Sequence, residues 1–238
     1  MTYLIGFQDD QALDPRVVGR KFSALADAAR RGFPVPEALA ISTAAHRLYQ
    51  ATGLWPEGLR EEVLEAARGL RLRRGVSIRS SATREDGHRQ SFAGQYQSFL
   101  EVDTEERLLE CIEACWAGAG SEIVGSYVKA LNVRGSDVET PLMAVVIQRM
   151  VESHVAGVAF SRNPLAPGRE EMIIEAVRGH GDGLVSGHRT PCRAVVLRSG
   201  RIEIEGRRRS RPKAARATPW EEVAQLLQQL EHAYDGAA

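Results

Sequence analysis

Neither sign of charge prevails in this chain: 31 basic and 31 acidic side chains cancel over 238 residues. That balance excludes a global field able to recruit nucleic acid or an anionic membrane. No apolar run approaches bilayer-spanning length, and the N-terminus lacks the charged-then-apolar pattern of a signal segment. The expected address is the reducing cytoplasm, with no membrane partner. Cysteine is scarce, three in all, an odd number at spacings that build no disulfide framework. Cys111 and Cys115 stand four apart in a helical stretch, where buried packing is their expected role. No cluster of cysteine and histidine has zinc spacing, and the sequence shows no internal repeat, low-complexity tract or flexible linker. The most basic run, Arg198 to Arg216, has no aromatic residues interleaved and reads as a solvated loop rather than a nucleic-acid platform.

What is present suffices for one large domain or two small lobes. Asp14 and Pro15 open a helix that closes at Gly32, and Gly19 inside it points to a later start of the regular part. Phe33 to Pro36 forces an extended turn, Leu39 to Ile41 reads as a strand, and Ser42 caps a helix through Gln50. Further helices are expected from Glu57 to Leu70, around Leu108, and from Ser121 to Leu131. The second half changes character: short apolar runs at 142–151, 155–160, 172–177, 194–197 and 202–204 predict strands, the last two joined by a hairpin at Ser199 and Gly200. Thr218 and Glu221 form a capping box for a closing amphipathic helix through Val223, Leu226, Leu227 and Leu230. Helices mixed with hairpin-rich sheet define an α+β fold.

The densest chemical signal lies between Val76 and Val102. Val76 and Ile78 alternate with Ser77 and Arg79, the pattern of a short strand with one buried face, which holds Arg79 on a rigid element. A rigid guanidinium can aim its donor fork at phosphate oxygens. The loop Ser91-Phe92-Ala93-Gly94-Gln95 adds backbone amides with little side chain in the way, and amides beside an arginine make an anion site.

This stretch, R-S-S-A-T-R-E-D followed by S-F-A-G-Q and F-L-E-V, resembles the signature of the N-terminal nucleotide-binding domain shared by phosphoenolpyruvate synthases, pyruvate phosphate dikinases and rifampicin phosphotransferases. The resemblance continues in Val146-Ile147-Gln148-Arg149-Met150-Val151, in Ala156 to Pro164, and in Glu175 to Gly187, where Arg178, His180 and Asp182 depart from the family pattern. It implies an ATP-grasp type architecture of two lobes, with a boundary placed near residue 75, and ATP with Mg2+ as cofactors. Carried over residue by residue, it implies phosphate contacts from Lys21 and Arg79, a nucleotide lining from Gly94 and Ser98, and Gln148 beside the base or ribose. Arg79 is the expected catalytic residue. Lys21 lies in G-R-K-F-S-A-L where the family has G-G-K-G-x-x-L, so Arg20 and Phe22 stand in place of two glycines. Glu85 and Asp86 also fit the motif, with a structural or solvated role expected rather than metal binding.

The family's closing segment, Q-D-I-E-W with L-Q-x-R-P, carries a magnesium-binding acid, a glutamine and an arginine, and is not found up to Ala238. None of the six histidines sits in the glycine-threonine context of the family's phosphate-carrying histidine. The resemblance therefore implies a C-terminally incomplete ATP-binding domain without metal ligands, carrier-histidine domain or phosphoenolpyruvate domain. Two functions stay open. One is ATP binding and kinase-type phosphoryl transfer together with a partner chain that carries the other parts. The other is a catalytically inactive module that senses nucleotide or binds protein.

Overall fold

The structure, a computed structural model, describes residues 2–83, 98–119, 142–166, 168–185, 187–205 and 213–234. The chain divides into two compact units, Met1–Val151 and Glu152–Ala238.

In the first unit, β1 (Leu4–Gly6) leads through a 3-10 turn into α1 (Pro15–Arg30). Asp14 caps this helix by accepting from the Arg16 amide at 2.9 Å, and Pro15 takes a position where its missing N–H costs nothing. β2 (Ala38–Ile41) and α2 (Thr43–Thr52) follow; α2 ends at Gly53 in the left-handed conformation, φ 71°. Then come α3 (Leu59–Gly69), β3 (Val76–Ala82), β4 (Ser98–Val102), α4 (Glu105–Ala119) and β5 (Met143–Arg149). The strands form a sheet in the order β1-β2-β5-β3-β4, every neighbouring pair antiparallel.

Side-chain alternation gives this sheet two cores. Ile41, Ile78, Met143 and Ile147 pack with Val63 of α3 and Leu108, Ile112 and Trp116 of α4 on one face. Ile5, Ala40 and Val146 pack with Val18, Phe22 and Ala26 of α1 on the other. β3 lies between β4 and β5 and is buried on both faces, whereas its pattern predicted one: Ser77 and Ser81, polar by sequence, are 6% and 0% exposed. Their small hydroxyls fill positions where the strand meets α1's side of the sheet. Cys111 and Cys115 are buried in the α4 core, as expected, and burial pushes the Cys115 thiol up to about 12.

The boundary expected near residue 75 falls inside the first unit. Gly75 only turns the chain, with φ 87°, into β3, which then pairs along its length with β5, so the residues after it cannot part from the sheet before them.

The second unit holds β6 (Val155–Phe160), β7 (Glu171–Arg178), β8 (Cys192–Leu197) and β9 (Ile202–Ile204), antiparallel in that order, with a short α5 (Asp182–Val185), α6 (Lys213–Ala217) and α7 (Trp220–Tyr234). β8 alternates as a half-covered strand should: Cys192, Ala194 and Val196 face Trp220, Ala224 and Leu227 of α7. Gly200, φ 84°, makes the expected hairpin, its amide bonded to Leu197 O at 2.8 Å. The Thr218 hydroxyl donates to Ala214 O at 2.7 Å, tying α6 to the start of α7. Together these elements bear out the α+β expectation. Among the described residues no helix is long and apolar enough to cross a membrane. The helix expected from Ser121 to Leu131 and the arginines at 207–211 lie outside the described residues.

Candidate functional site

Four of the five sequence-predicted site residues fall on described elements, and three of them stand on the α1-bearing side of the five-stranded sheet. Directly opposed residues of an antiparallel ladder share a face. Arg79 of β3 opposes Ser98 of β4 and Val146 of β5, and Val146 packs in the α1 core. Ser77 opposes Gln148, which puts Gln148 on that face as well. Lys21 approaches the same strand from α1, its Nζ donating to Ser80 O at 2.9 Å. Gly94, Glu85 and Asp86 lie outside the described residues.

Ser98 reaches its place through an irregularity in β4. Val76 opposes Val102 and Ile78 opposes Phe99, so two residues of β3 are matched by three of β4. The extra residue is a β-bulge, and Glu101 carries the positive φ, 55°, that goes with it. The bulge lets Val102 and Phe99, three apart, both turn toward the α4 core, and leaves exposed Ser98 beside Arg79. Arg79 itself is half-buried, and among the described residues no carboxylate pairs with it.

Gly19 explains how Lys21 comes close. With φ 71° and ψ 167° it breaks α1, and a Cβ there would stand 2.2 Å from Ser81 O. The break strands backbone groups on either side, which the buried Ser81 hydroxyl bridges: it donates to Val18 O at 2.9 Å and accepts from Phe22 N at 3.3 Å. Ser81 is the positioning residue that sequence reasoning passed over. Its signal was present in the second serine of R-S-S-A-T, read only as part of a motif. Phe22, in place of a family glycine, is fully buried and stacks obliquely with Phe7 at 5.2 Å, so its ring is a core element rather than an obstacle over the strand.

Gln148 is 7% exposed, and its Nε2 donates to Pro36 O at 3.1 Å, which fixes the amide and orients Oε1 as an acceptor. In the second unit, Glu175 is engaged by Arg193 of the adjacent strand, and Ser153 Oγ lies 3.4 Å from Nδ1 of His180, which is half-buried rather than the solvated loop residue expected. His188 is exposed, as expected of a loop histidine.

One further histidine has no counterpart in the sequence reading. His46 of α2 is fully buried, accepts from the Met143 amide through Nδ1 at 3.0 Å, and lies 6.3 Å from the Trp116 ring. Burial pushes its pKa down to about 4, so the ring is neutral.

Comparison with known proteins identifies the family of this chain. Residues 51–233 match the family model of the pyruvate phosphate dikinase AMP/ATP-binding domain; Arg79, Gly94, Ser98 and Gln148 lie within that range and Lys21 precedes it. An uncharacterized phosphotransferase, YvkC, of Bacillus subtilis is 34% identical over 80% of this chain and 24% of its own. A phosphoenolpyruvate synthase of Aeropyrum pernix is 31% identical over 83% of this chain and 29% of its own. A rifampicin phosphotransferase of a Streptomyces species is 34% identical over 78% and 22%. The chain thus spans about a quarter of the length of the curated relatives it matches.

Proposed function

Because the chain belongs to the pyruvate phosphate dikinase AMP/ATP-binding domain family, we propose that it binds ATP on the α1-bearing face of the five-stranded sheet and serves kinase-type phosphoryl transfer. The observation that carries this reading is the common face of Arg79, Ser98 and Gln148, with Lys21 bonded to the strand that bears Arg79. Lys21 supplies a compact charge and Arg79 a planar fork to the triphosphate. Ser98 adds a hydroxyl, the Gly94 backbone an amide, and Gln148 Oε1 an acceptor for the adenine amino group or a ribose hydroxyl. Phosphoryl transfer asks for little covalent chemistry and much positioning, so the catalytic part given to Arg79 is to offset charge on the moving phosphoryl group.

Magnesium accompanies ATP in this reading. Among the described residues no three His, Cys, Asp or Glu side chains converge on a metal position, and no step is routed through the ion. Carrier and acceptor functions belong outside these residues, on a further segment or a separate chain, which the quarter-length span supports. A cytoplasmic setting, where ATP is supplied, belongs to this reading.

The test is a calorimetric titration with ATP and magnesium. ATP is expected to bind the chain and to lose affinity at least about tenfold in Arg79→Ala, the loss of one charge-assisted contact. No binding at millimolar ATP would sink the reading. A second reading, a catalytically silent nucleotide sensor or protein-binding module, is favoured by one feature: the Phe22 amide is already spent on Ser81 where the family has a glycine. Magnesium-dependent phosphoryl transfer that disappears in Arg79→Ala would eliminate it.

A further inference from the structure

We infer that the cleft beside the first turn of α2 binds the carboxylate of a small molecule, at a site distinct from the nucleotide face. The cleft, of about 660 Å³, is lined by Asp9, Asp10, Arg16 and Arg47 and by the turn 42–44. Ser42, the N-cap of this ten-residue helix, makes no capping bond; it is 1% exposed, and its hydroxyl has no partner among the described residues. A buried hydroxyl left so is costly. The first-turn amides of Thr43 and Ala44 likewise have no partner among the described residues, and such amides favour an anion. α1, starting beside the same cleft, differs on this point, since Asp14 satisfies its Arg16 amide.

The other polar groups narrow the choice of ligand. The Thr43 hydroxyl is spent on Arg16 O at 2.7 Å, and the Arg16 guanidinium on Asp14. Arg47, exposed and one turn into α2, has no carboxylate partner among the described residues. The cleft therefore offers an uncapped helix start, a buried hydroxyl and one guanidinium, enough for a planar monoanion held by a fork. Asp9, which accepts from the Gly6 amide, and Asp10 line the same cleft and repel a doubly charged phosphate. They favour a ligand whose carboxylate is joined to an ammonium group. Ser42 follows β2, two strands from β3, so this site does not share the Arg79 contacts.

An amide-resolved NMR titration of the whole chain, without ATP and at constant ionic strength in chloride, tests this inference. Acetate and glycine are expected to shift the Thr43 and Ala44 amides saturably, glycine more tightly if the ligand is an amino acid and equally if it is a simple acid. Phosphate binds more weakly than acetate. Arg47→Gln weakens binding about tenfold, as loss of a charged contact does. Ser42→Ala also loses acetate binding while its melting temperature without ligand stays level or rises, whereas an ordinary cap residue would lower it. Amides that fail to saturate with either carboxylate, an unchanged affinity in Arg47→Gln, or tighter binding of phosphate would each overturn it. None of these outcomes depends on whether ATP binds.

Discussion

At the scale of single residues, two positions convert geometry into measurable stability. His46 is held neutral in the folded chain, with its pKa lowered from 6.5 to about 4 by burial. Between those values the unfolded chain binds a proton that the folded chain refuses. Its contribution is therefore complete above pH 6.5 and is lost as pH falls toward 4, amounting to about 3 kcal/mol. Urea unfolding across that window should show stability rising with pH, and His46→Gln should flatten the slope. Gly19 makes the second case. Gly19→Ala combines a φ of 71° with a Cβ 2.2 Å from Ser81 O, and is expected to cost about 3 kcal/mol or more. Gly32→Ala, at φ 85° but with nothing within 4 Å, isolates the backbone part and should cost about 1 kcal/mol in the same unfolding assay.

At the scale of elements, the bulge in β4 decides which side chain stands beside Arg79. Deleting Glu101 alone turns β4 into a regular strand and still leaves Ser98 opposite Arg79, so ATP affinity should stay within about threefold of the parent if the ladder simply closes up. Deleting Leu100 and Glu101 together brings Phe99 to the Arg79 face and Ser98 to the core face, and should abolish ATP binding and destabilise the chain. Equal effects of the two deletions would refute this account of β4. None of it was legible in the sequence, because F-L-E-V carries no glycine to mark the positive φ at Glu101. The elements with strong local signals were legible: the Asp14-Pro15 start of α1, the Gly200 hairpin and the apolar run of β8 all appear where their chemistry placed them.

At the scale of the whole chain, what escaped the sequence is what depends on distant partners. The burial of Ser77 and Ser81 follows from β3 being an interior strand covered by α1, which no local window contains. The division after Val151 follows from β5 returning to pair with β2 and β3, contacts that close over long separations. The site residues were found by motif, while the clamp that arranges them was not: Ser81 reaches Val18 across 63 positions. That clamp binds the history of two stretches together. A side chain at position 19 would strike Ser81, and loss of the hydroxyl at 81 would strand the broken turn, so neither position is free to drift alone. An exchange of α1 or β3 with a relative keeps Lys21 in place only when a bare backbone at 19 and a hydroxyl at 81 arrive as a matched pair, inherited as one trait.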